Sequence, residues 1–258
     1  MTTVELLVQC WRPEPFGLAT GVAASAAYRW LRRDGVAGRD VCFGLALLVF
    51  LLAVVSPIGT LADGYLFSAH MLQHLLLVLV VPPIALLALP LRGRPGEAGW
   101  GEALASWGLG VGAMWLWHAP TLCNAASTSP LVHRLQELSL LGMGAAFWRP
   151  VVSARLAPLP CIAYLFTACV ACTVLGVLLT FSPVAVCSVF AHPVDRLGVL
   201  PLVREGWGLT PDRDQQVGGL MMWVPACLVY GAGILAQLAC VYRTEGRAAP
   251  ALAGTEAP

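Results

Sequence analysis

Seven stretches of about 20 mostly apolar residues, each bounded by charge, proline or glycine, constrain this chain more than any other feature. A helix that crosses hydrocarbon must satisfy its backbone polar groups internally, and a run of that length matches the thickness of the apolar layer. The stretches are Phe16 to Leu31, Val41 to Leu61, Leu66 to Leu89, Ala103 to His118, Leu131 to Val152, Leu159 to Phe181 and Val217 to Val241. The predicted fold class is therefore all-α, a polytopic membrane bundle of about seven transmembrane helices. Composition agrees, because 58% of the 258 residues are hydrophobic and 11% are charged, where a water-soluble domain carries roughly a quarter charged residues. The first and fourth stretches are short and contain glycine, and Pro82 with Pro83 is expected to end or kink the third, since each lacks the amide that continues the ladder. The organisation expected is one bundle domain, residues 1–243, with a long outer loop at 182–213 folding over the mouth of the bundle and a disordered tail at 244–258.

Arginine sets the orientation, because cytoplasmic loops retain basic residues. Arg29, Arg32, Arg33 and Arg39 follow the first stretch, Arg92 and Arg94 the third, Arg149 and Arg155 the fifth, and Arg243 and Arg247 the last. On the other side Arg12, Arg134, Arg196, Arg204 and Arg213 are accompanied by Asp195, Glu205, Asp212 and Asp214. The amino terminus is thus predicted outside and the carboxyl terminus in the cytoplasm. Met1 to Phe16 has no basic cluster ahead of an apolar core and carries Glu5, unlike a cleaved signal peptide. With a net charge of +1 and no basic stripe, nucleic acid is not an expected partner; lipid is. All fifteen basic residues are arginine, which excludes a retinal protein, whose Schiff base needs a lysine. Most of the nine cysteines sit inside apolar runs as small hydrophobes, leaving room for one bridge among Cys10, Cys123 and Cys187 on the outer side.

All five histidines fall on that outer side: His70, His74, His118, His133 and His192. His70 and His74 are four residues apart, so both rings lie on one helical face and can chelate one ion. His118 and His133 end and begin neighbouring stretches at the same depth, Asp214 opens the last, and Glu137 stands one turn after His133 in an otherwise apolar span. Arg134 is read as poorly directed toward Glu137, because adjacent side chains diverge around a helix. Met71, Met114, Met221 and Met222 add thioethers, and imidazole with thioether suits copper better than the oxygen-seeking magnesium or calcium. The candidate metal ligands are His70, His74, His118, His133, Glu137, Asp214 and Met222. Each type also has a plain reading: imidazole at a headgroup interface, histidine bonding between helices, methionine as packing filler. Cys169 and Cys172, three apart in the sixth stretch, are either inert buried thiols or a relay for a soft monovalent metal.

His70-Met71-Leu72-Gln73-His74, then Met114-Trp115-Leu116-Trp117-His118-Ala119-Pro120, then Trp207-Gly208-Leu209-Thr210-Pro211 running into Asp214-Gln215-Gln216-Val217-Gly218-Gly219, and finally Met222-Trp223-Val224-Pro225, occur in that order. In these motifs the chain resembles the seven-span CtaG-type assembly factors of bacterial haem-copper cytochrome c oxidases, over nearly its whole length. The resemblance implies a non-enzymatic role in the bacterial plasma membrane, with oxidase subunits as partners and copper supply or placement as the task. Where many relatives carry Glu-His after the His133 position, this chain has Gln136-Glu137, which favours a mixed nitrogen and oxygen site or a shifted role. The competing function is a b-type haem membrane redox protein, because histidines on packed helices also ligate haem. A transporter would want polar residues through the midplane, where these stretches are nearly bare.

Overall fold

The computed structural model describes residues 2–32, 36–91 and 93–253, with side chains described as far as residue 243. Proline starts many of its helices, as expected where an absent amide costs nothing. A short α1 (Thr3–Gln9), closed by a capping box between Thr2 and Glu5, precedes α2 (Pro15–Leu31). Then come α3 (Ala37–Val55) and α4 (Pro57–Ala62), the latter capped by Ser56. A long rod follows: α5 (Phe67–Leu75) passes through a π turn, Leu76–Val80, into α6 (Val81–Ala88). A second rod is built the same way, α7 (Trp100–Trp107) passing through Gly108–Gly112 into α8 (Ala113–Trp117). The chain continues as α9 (Pro120–Thr128), α10 (Pro130–Val152), α11 (Pro158–Thr180), α12 (Ser188–Ala191) and α13 (Pro211–Ala253), with a further π turn at Leu202–Gly206. Among the described residues there is no strand.

Four helical segments are long and apolar enough to cross a membrane: Ala37–Val55, Phe67–Ala88, Pro158–Thr180 and Pro211–Arg243. Helices also occupy the other three predicted stretches but are not among those four. α2 has only 17 residues, the α7–α8 rod is rich in glycine and tryptophan and carries Glu102, and α10 carries His133, Arg134, Glu137 and Arg149. The all-helical class thus stands with four such segments, and the reason is physical: the polar residues that make α10 interesting also lower its hydropathy. Arg33, Arg92 and the side chain of Arg247 lie outside the described residues, as do the side chains of the tail at 244–258.

Pro82 and Pro83 do not end the third stretch. The π turn resets the ladder before them, so the prolines fall in the first turn of α6, where their missing amides are not required. The carbonyl of Val78 inside that turn accepts from the Trp148 indole at 3.2 Å, and Tyr164 donates to the Phe147 carbonyl at 2.9 Å. The core is therefore tied by aromatic side chains with satisfied polar tips. The most extensive pairing is α11 along α13, and α13 also packs against α5. One bridge, for which the sequence left room, joins Cys123 of α9 to Cys187, 5.8 Å apart at their α-carbons, and Cys10 is free. Beside it the backbone and hydroxyl of Ser188 both donate to the Asn124 side chain at 2.9 Å, fastening the long loop to α9.

α10 crosses the π turn at Gly144, where an added β-carbon would lie 2.6 Å from Pro82 Cγ and 2.7 Å from the Val78 carbonyl oxygen. Neither neighbour can yield, because one is a ring and the other is backbone. Gly144→Leu is expected to destabilise the detergent-solubilised protein by about 1–3 kcal/mol, the usual cost of overpacking a filled interface. A thermal melt matching that of wild type would show the crossing to be looser than described.

Candidate metal centre

The N terminus of α5 has no side-chain cap of its own. Asp214, in the first turn of α13 and fully buried, supplies one across the bundle: Phe67 and Ser68 donate their amides to its carboxylate at 2.8 and 3.0 Å, and the Ser68 hydroxyl donates at 2.6 Å. A carboxylate so placed satisfies otherwise orphaned donors and opposes the positive end of the helix dipole. It pins the helix that carries His70, Met71, Gln73 and His74. All three of these hydrogen bonds go to α5, so Asp214 braces that helix.

The four histidines form a file. His133 and His70 have ring centroids 6.2 Å apart, His70 and His74 4.1 Å, and His74 and His118 5.7 Å, and all four rings are buried. Among the described residues no group of three or more His, Cys, Asp or Glu side chains converges to hold one metal ion. The single imidazole and carboxylate pocket expected from sequence is thus drawn out into a line. Both ring nitrogens of His70, Nδ1 of His74, and both side-chain polar atoms of Gln136 have no hydrogen-bond partner although buried. Phe190, from the long loop, lies with its ring 5.3 Å from that of His70. His192, by contrast, is exposed.

Glu137 shares its carboxylate. Arg134 reaches it at 2.9 Å, His133 Nε2 stands 3.4 Å away, and Gln73 donates at 3.4 Å. The reading of Arg134 as poorly directed is corrected here: the relevant spacing is i to i+3, which does bring side chains together. Arg134 also pairs with the buried Glu14 at 2.6 Å, joining α10 to the start of α2. Glu14 had no signal in the sequence beyond being an acidic residue before an apolar run. At the rim, burial alone would push the Asp63 carboxyl up, but Arg12, bonded to it at 2.5 Å, brings it below the usual carboxylate range.

At the other end of the file the chemistry turns soft. A small cavity of about 20 Å³ is walled by His74, His118, Met71, Met114, Met222 and Cys172. Room of that size suits one water-sized species. His118 Nδ1 lies 2.7 Å from the Met114 carbonyl oxygen, to which it can only donate, so in the neutral ring Nε2 carries the lone pair. That lone pair faces the Met71 sulfur at 3.3 Å, which has no hydrogen to offer. Two Lewis bases confront each other with no proton between them. Of the four methionines singled out, Met71, Met114 and Met222 line this cavity and Met221 does not.

The profile of a family described as cytochrome c oxidase caa3 assembly factor matches residues 24–244. The chain belongs to that family. No curated protein and no solved structure matches it. Family membership carries a role in assembling a cytochrome c oxidase, and with it an encounter with the oxidase.

Asp214→Asn keeps one acceptor oxygen for the α5 amides while removing the charge. It is expected to lower stability by about 0.5–2 kcal/mol, as the weakening of a helix cap does, with the metal content of the purified protein unchanged. Loss of bound metal without loss of fold would return Asp214 to the ligand set.

Proposed function

We propose that this protein is a non-enzymatic assembly factor that holds one copper ion, as Cu(I), in the cavity walled by Met71, Met114, Met222, His74 and His118, and passes it to an apo subunit of a haem-copper oxidase. The observation that carries this reading is the confrontation of the His118 Nε2 lone pair with the Met71 sulfur. A soft monovalent ion is what such a pair lacks, whereas magnesium and calcium ask for oxygen. His70 and His133, with Glu137 behind them, form the approach to that cavity, and the two buried ring nitrogens of His70 offer intermediate stops. The family's role in oxidase assembly supplies the recipient.

The proposal includes a topology. α2, the α7–α8 rod and α10 join the four strongly apolar segments as spans of a seven-helix bundle in the bacterial plasma membrane, with the amino terminus outside. A polar α10 is tolerated when its charges face the bundle, and Glu137 is buried, as expected of an intramembrane carboxylate with partners. The Cys123–Cys187 bridge favours the same orientation, since disulfides persist on the oxidising side of a membrane. Against haem stands the geometry: a cavity of about 20 Å³ has no room for a macrocycle, and His70 with His74 share one helix face.

The test compares wild type with His118→Ala and Met71→Leu, measuring copper in the purified protein and oxidase maturation in cells. Both variants are expected to insert normally, lose the ion and leave the oxidase immature. Full copper content with normal maturation in either variant, or a Soret band in the wild type, would overturn the proposal.

A further inference from the structure

Beyond the cavity the file of soft donors does not stop. Cys169 on α11 and Cys227 on α13 face each other with their sulfurs 2.9 Å apart, and the Thr173 hydroxyl stands 3.2 Å from the Cys227 sulfur. The sequence paired Cys169 with Cys172 by spacing; the structure pairs it across the most extensive helix contact in the molecule instead. Cys172 turns the other way, into the cavity wall beside the Tyr230 hydroxyl at 3.8 Å. Ala226 and Tyr230 of α13 also line the cavity, and Cys227 follows directly after Ala226. The dithiol is therefore a neighbour of the thioether cavity, with Cys172 between them on α11.

We propose that Cys169 and Cys227 form a second site for a soft monovalent metal ion, a two-coordinate sulfur site adjoining the cavity. It rests on the copper reading above only for the identity of the cargo. Two sulfurs on opposed helices become a complete ligand set for an ion that accepts linear coordination once side-chain rotation parts them from 2.9 Å to about twice a metal–sulfur bond, and soft ligands select that ion over harder cations. The exchange balances without moving net charge into the apolar layer: Cu(I) enters, one thiol proton leaves, and the product is one thiolate and one thiol on a single cation, as neutral as the dithiol it replaces. Avoiding a buried net charge is what makes a site at this depth affordable. With both sites in place the chain offers soft donors from His118 and Met71 through Met222 and Cys172 to the dithiol, a route along the bundle that does not require polar residues at the midplane.

The experiment titrates the full-length, detergent-purified protein with Cu(I) against a chromogenic Cu(I) chelator under anaerobic reducing conditions. Wild type is expected to take two ions per chain, to release one proton for the dithiol ion, and to show the ultraviolet Cu(I)–thiolate charge-transfer band. Cys169→Ser/Cys227→Ser is expected to take one ion and lose the band, whereas Met71→Leu/His118→Ala loses one ion and keeps it. If the serine variant binds as wild type does while the Met and His variant loses its ion, the dithiol site is wrong and the cavity stands. If only the serine variant loses an ion, the cavity is wrong and the dithiol stands. The band in wild type needs no variant, so its absence from copper-loaded protein, or a Cys169–Cys227 disulfide found by mass spectrometry in reduced preparations, overturns the proposal outright.

Discussion

The bond from Asp214 to the first turn of α5 decides where everything else sits. α5 begins without a cap of its own, in a protein whose helices have little water to satisfy loose amides. A carboxylate contributed by α13 closes that end, and with it fixes the rotation and depth of His70, Met71 and His74. α13 is held in turn along α11, so the cap joins the imidazole file to the face that carries Met222, Cys172 and the dithiol. A charge that looks like a ligand in the sequence is, in the fold, what makes the ligands coincide.

Carboxylates here serve the scaffold while neutral donors face the cavity. Glu137 and Glu14 clasp Arg134, Asp214 clasps α5, and the cavity is walled by imidazole, thioether and thiol. This division follows from the medium, since an unpaired charge at this depth is costly and each acid finds an Arg or a row of amides. What remains free to meet an incoming ion is neutral and soft. The proposed preference for a monovalent metal follows from what the bilayer permits.

The all-helical membrane class and the approximate places of the helices were legible, because hydrophobic length is a one-dimensional signal. So was the pairing of His70 with His74 on one face, whereas the Cys123–Cys187 bridge was only one possibility the sequence left open. The rest depends on which residues distant in sequence meet. Asp214 reads identically as ligand or cap until α5 is placed beside it. Cys169 has a near neighbour in sequence, Cys172, and a true partner 58 residues away, Cys227. The dismissal of Arg134 came from asking about adjacent residues when the contact spans three. The π turn before Pro82 was invisible because it changes hydrogen bonding, not composition. Gln136, a neutral amide inside an apolar span, is fully buried, which its sequence context does signal.

The central claim is that copper is held by thioether and imidazole together. X-ray absorption at the copper edge, on Cys169→Ser/Cys172→Ser/Cys227→Ser protein loaded with one equivalent of Cu(I), reads this directly, because neither the dithiol nor the Cys172 thiol of the cavity wall can then contribute sulfur. The account predicts a first shell containing both sulfur and imidazole nitrogen, with the edge shape of a monovalent ion. A shell of nitrogen and oxygen alone, or protein that retains no copper after desalting, would contradict it.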